Sequence, residues 1–195
     1  MISILSSHAL SGGIGAELTD GNFWQGAITG GLVAGLNHGL HTTVNKLQQN
    51  SRVKTALKKL NIDPNSKPEF SKEAVIDLTV RDENLNEMYK NADYPSISLD
   101  SNQIKPGKTE MSGITLGQKA FQSYRNLYLT LGHEFIHAYH FASGMMSYWE
   151  NNLGSKTAKY LTERAAYTWI QLYDSPSMKY KWEYEFLKNY SHLLK

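Results

Sequence analysis

Apolar positions recur every three or four residues between Ser123 and Ala142, with Leu127, Leu131, Phe135, Ile136 and Tyr139 on one side. That period predicts a long amphipathic helix, closed near Gly144. A second helix is predicted from Ser155, as its N-cap, to about Tyr173. Ser175-Pro176 opens a third, in which Trp182, Phe186 and Tyr190 return every four residues on an apolar face. Upstream the period shortens to two. Ala74-Val-Ile-Asp-Leu-Thr-Val80 reads as a strand, and Tyr94–Leu99 and Gly113–Gly117 read as two more, separated by the turn-rich SNQIKPGK. Asp82 to Ala92 reads as a short polar helix. The pattern as a whole predicts an α+β domain with a short, mainly antiparallel sheet.

The pattern also divides the chain. Residues 1–41 are glycine-rich, with Gly26, Gly30, Gly31, Gly35 and Gly39 in overlapping small-xxx-small spacings. Such spacings let helices approach closely, in lipid as well as in water. The apolar stretch Ala27–Leu36 covers only about half a membrane span, however. Residues 42–72 are polar and read as a linker, leaving 73–195 as the domain. No segment has the basic start and apolar core of a secretory signal.

Composition narrows the chemistry. The chain has 195 residues, 41% apolar and 19% charged, as globular domains do. A net charge of +2 gives no electrostatic reason to expect a nucleic-acid partner. With no cysteine, disulfides and thiolate metal sites are excluded, and any metal must be held by His, Asp or Glu.

The long helix carries such residues in TLGHEFIHAYH, Thr130 to His140. His133 and His137 stand one helical turn apart on the same side, so two imidazoles can reach one cation. Glu134 projects beside them and can take a proton from a metal-activated water. This is the HExxH arrangement of zinc peptidases. The bland alternative is a pair of core histidines with a solvated glutamate. A third ligand is needed. His140 is too far along a straight helix. The longer HExxHxxGxxH pattern is absent, since Ser143 stands ten residues after His133. Glu163, on the second helix beside the small residues Ala165 and Ala166, is the preferred third ligand, and Glu150 is its rival. Tyr160 and Tyr167 share the Glu163 face, and either can stabilise a developing oxyanion. The bland reading of Glu163 is a surface salt bridge with Lys159 or Arg164.

Two resemblances extend this reading. GNFWQGAITGGLVAGLNHGLH resembles the glycine-rich stretch before the C-terminal toxin domain of bacterial polymorphic toxins, most of all the Rhs/YD-repeat proteins of Bacteroidetes. NLYLTLGHEFIHAYH, with TERAAY downstream, resembles effector-type zinc metallopeptidases that form toxin tips. The HExxH helix followed by a glutamate-bearing helix is the plan of gluzincins. The second resemblance implies a small zincin-like domain binding Zn2+ through His133, His137 and Glu163, with Glu134 as base. An edge strand, placed by analogy at Gly113–Gly117, would take extended substrate. Together the resemblances imply a secreted toxin, delivered by a parent Rhs-type protein, that cleaves a protein in a target cell, and a cognate immunity protein that protects the producer. Two other expectations compete: a zinc-dependent hydrolase of cell-wall peptide cross-links, and a non-enzymatic, membrane-active or assembly module built on the glycine-rich segment.

Overall fold

In a computed structural model, residues 51–194 are described. The glycine-rich segment 1–41 and its expected role lie outside them. The described residues form seven α-helices and one three-stranded sheet. The helices are α1 (Arg52–Lys59), α2 (Lys72–Arg81), α3 (Glu83–Asn91), α4 (Tyr124–Ala142), α5 (Met145–Leu153), α6 (Ser155–Tyr173) and α7 (Lys179–Tyr190). The strands are β1 (Ile97–Leu99), β2 (Gly107–Glu110) and β3 (Gly113–Leu116). The α+β class is therefore as expected. No described helix is long and apolar enough to cross a membrane.

Helix α4 is the centre of the fold. Ser123 caps it by accepting from the Asn126 amide at 3.1 Å. Leu127, Tyr128, Leu131 and Phe135 are fully buried along it. One flank packs on β2 and the other on α6. The α4–α6 approach is close because residue 132 is glycine: a Cβ there would run into the Trp169 ring of α6. That closeness allows short side chains on the two helices to meet.

The sheet is mixed rather than mainly antiparallel. β3 lies in the middle, parallel to β1 and antiparallel to β2. Leu116 pairs with Gly107 and Ile114 with Thr109. The Gly117 amide donates to the Pro106 carbonyl at 2.8 Å, so residue 106 faces β3. By alternation Lys108 and Glu110 face β3 as well, and the main-chain groups of Gly107 and Thr109 face the free edge. The expectation of a substrate edge at Gly113–Gly117 is thus corrected. Among the described residues β3 is internal, and the unpaired edge beside α4 belongs to β2.

Two expectations fail for local reasons. Residues 74–80 are helical, not a strand. The buried positions of α2 are Val75, Leu78 and Thr79, which is helical spacing, while the β-branched Ile76 and Val80 are exposed. Ser71 caps α2 from outside, accepting from the Ala74 amide at 3.2 Å. The span read as a polar linker contains α1, whose Val53 and Leu57 are completely buried although, Ala56 apart, its other positions are polar. Downstream, Gly154 rather than Ser155 occupies the N-cap of α6, and Ser175-Pro176 opens a 3-10 turn, Pro176–Met178, before α7.

Candidate metal centre

His133 and His137, one turn apart on α4, turn their Nε2 atoms towards each other at 3.1 Å. Glu163 comes across from α6, with its Oε2 3.7 Å from His133 Nε2 and 3.6 Å from His137 Nε2. Four ligands about 2.0–2.1 Å from a tetrahedral zinc stand roughly 3.3 Å apart. The triangle of 3.1, 3.6 and 3.7 Å has that size. Glu163 Oε2 is buried and has no hydrogen-bond partner among the described residues. A buried carboxylate oxygen left without one is costly, and a cation between the three atoms would satisfy it. The donor set and its spacing therefore fit a metal ion, and no other described group of His, Asp and Glu converges in this way.

The two histidines of the triangle differ in their support. His137 Nδ1 lies 2.8 Å from the Thr162 hydroxyl, which fixes its ring. His133 Nδ1 is buried with no partner among the described residues, and its ring packs against Tyr167, edge-on at 5.3 Å. His140 is turned away from the triangle. Its Nδ1 contacts Thr162 Oγ1 at 2.8 Å and its ring packs on Trp149 at 5.0 Å. His140 therefore lies outside the group that could hold a metal ion. Glu150 is exposed on α5 and takes no part.

Glu134 is 5% exposed and sits on the β2 side of α4. Its Oε2 accepts from the Thr109 hydroxyl at 2.7 Å. Gly107 leaves room for the carboxyl group, which a Cβ at that position would strike. Gly107 is glycine for this approach.

The charges are strongly perturbed. Burial pushes His133 down to about 3, reinforced by the neighbouring His137. Burial also acts to lower His137, but Glu163 and Glu134 outweigh it and hold the ring above its ordinary value. For Glu163 burial acts upwards, and the contacts with His137, His133 and the Tyr190 hydroxyl bring the carboxyl below its usual range. Glu134 is raised, chiefly by burial. The charge of Lys105 reaches His133, Glu134 and His137 and disfavours protons on all three.

The two expected tyrosines divide. Tyr160 packs edge-on against Phe186 of α7 at 5.2 Å and serves the α6–α7 interface, because α7 covers that turn of α6. Tyr167 brings its ring to His133, while its hydroxyl is engaged by Asn189. The hydroxyl that acts on the cluster is that of Tyr190, which helps to bring the Glu163 carboxyl below its usual range. Sequence reasoning missed Tyr190, Thr109, Thr162 and Lys105. Only Thr162, directly before Glu163, carried a positional hint. In comparisons with known proteins the chain matches no family model, no curated protein and no solved structure.

Proposed function

We propose that the described domain is a zincin-like, zinc-dependent peptidase acting on extended polypeptide. One observation carries the reading: His133 Nε2, His137 Nε2 and Glu163 Oε2 converge, while the Glu134 carboxyl is held beside them against a free strand edge. His133, His137 and Glu163 would hold the ion. Zinc in that place supplies Lewis acidity towards a carbonyl and makes a water more acidic.

The rest falls to the chain's own groups. Gly107 and Thr109 offer outward N–H and C=O groups to a substrate strand, which pairs with β2 and lays its backbone across Glu134. Burial raises the Glu134 carboxyl above its ordinary value, which makes its carboxylate a stronger base. Glu134 takes the proton from the attacking water and passes it to the departing amine. The Thr109 hydroxyl holds Oε2 still during both transfers. Lys105 adds positive charge close to the reacting groups. Delivery as the tip of a polymorphic toxin, with an immunity protein as partner, belongs to the same proposal and rests on the resemblance of residues 1–41.

The test is a comparison of wild-type chain and Glu134→Ala in bacterial cytoplasm, with new protein N-termini catalogued by mass spectrometry. Toxicity with discrete new N-termini, both lost in the variant, supports the reading. An equally toxic Glu134→Ala overturns it.

A further inference from the structure

The Thr162 hydroxyl stands between two imidazoles, 2.8 Å from His137 Nδ1 and 2.8 Å from His140 Nδ1. All three side chains are buried. A hydroxyl has a single proton to donate, so it cannot donate to both rings. Its oxygen has two lone pairs, so at least one imidazole donates to Thr162 and the other either donates or accepts. With one donor and one acceptor, the three groups form a chain that runs in one of two directions.

We propose that Thr162 is the positioning residue of the metal cradle, with His140 as its anchor, setting the ring angle and tautomer that leave His137 Nε2 free to ligate. This rests on the zinc reading above. His137 can offer an Nε2 lone pair only if its proton is on Nδ1. Nδ1–H then donates to Thr162 Oγ1, and in the chain proposed Thr162 donates in turn to His140 Nδ1, which leaves the His140 proton on Nε2. The opposite direction would place a proton on His137 Nε2, where the ion binds. His140 is fit to be the fixed end. Its ring is packed on Trp149, itself 5% exposed, and it lies outside the ligand triangle. Thr162 directly precedes Glu163 on α6, so the residue that orients one ligand is covalently next to another. Any shift of α6 against α4 moves both together.

The experiment compares the full chain with Thr162→Val, Thr162→Ser and His140→Phe, each checked for folding by circular dichroism. Zinc affinity is read by competition with a chromophoric chelator, and ligand geometry by the visible spectrum of the cobalt-substituted protein. Thr162→Val should weaken zinc binding about 10–100-fold, as loss of a partner behind a metal ligand does. Thr162→Ser, which keeps the hydroxyl, should bind nearly as wild type with an unchanged cobalt spectrum. His140→Phe should fall between them. Nitrogen-15 NMR of the zinc-loaded wild type should show His140 protonated on Nε2 and His137 on Nδ1, a reading that remains informative if Thr162→Val does not fold. Equal affinity in Thr162→Val and wild type, or the opposite tautomers, overturns the positioning role while leaving the metal site standing. A wild-type chain that takes up no zinc overturns the metal reading and the positioning role with it.

Discussion

Gly107 of β2 and Glu134 of α4 are in such close contact that a single added Cβ would overlap the carboxyl group. With Thr109 donating to Glu134 Oε2 at 2.7 Å, the strand holds the glutamate from two positions on the same edge. The sheet is small, and it holds this carboxylate beside an edge strand that is unpaired among the described residues.

Gly107→Ala should therefore damage catalysis more than metal binding. The ligands lie away from the added methyl, so zinc affinity should stay near wild type. Displacing the glutamate by about 1 Å should lower kcat/KM on the order of 100-fold. Titration with zinc beside a peptidase assay separates the two effects. An unimpaired rate would show that Glu134 is not the base.

Gly132→Ala probes the α4–α6 contact. The added methyl meets the Trp169 ring, and overpacking of this kind costs about 1–3 kcal/mol. The urea midpoint should fall with an unchanged m-value. Because Glu163 rides on α6, zinc affinity should fall as well.

The metal-free protein should be sensitive to acid through His140. Burial pushes this ring from 6.5 to about 3, helped by the positive charge of His137. The unfolded chain then binds the extra proton between these values, so stability falls as pH drops through that window. Relative to His140→Phe, the chelator-treated wild type should lose about 1.4 kcal/mol per pH unit between about pH 6 and 4. Parallel stability curves for the two proteins would refute this. Taking the difference against the variant cancels the opposing contribution of Glu134, whose raised value favours the folded state at low pH.

Tyr190→Phe removes a hydroxyl partner of Glu163. The carboxylate keeps both histidines beside it, so zinc should still bind, about 10-fold more weakly. Competition with a chelator checks this. Unchanged affinity would make Tyr190 a packing residue of the aromatic cluster with Tyr167 and Phe186.

Much of the fold's centre was legible because α4 and α6 are long and carry their period in their own residues. Glu163 was accessible for the same reason: its distance along α6 places it opposite the HEFIH turn. Short elements were misread where local preference and tertiary packing disagree. The β-branched residues of α2 favour a strand, yet its capping serine and the burial of Val75, Leu78 and Thr79 make it a helix. β2 has no apolar alternation at all, since its burial pattern is set by α4 on one face and solvent on the other. Thr109 and Tyr190 reach the site through contacts 25 and 27 residues distant in sequence, and no local pattern announces such contacts.

The central claim is that His133, His137 and Glu163 hold a zinc ion, and metal content tests it most directly. Glu134→Ala, purified and reconstituted with zinc, should carry about one zinc per chain after dialysis. Glu134→Ala/Glu163→Ala should weaken binding by more than about 100-fold, beyond the loss expected for a group behind a ligand. No stoichiometric zinc in Glu134→Ala, or equal zinc in both, would contradict the account.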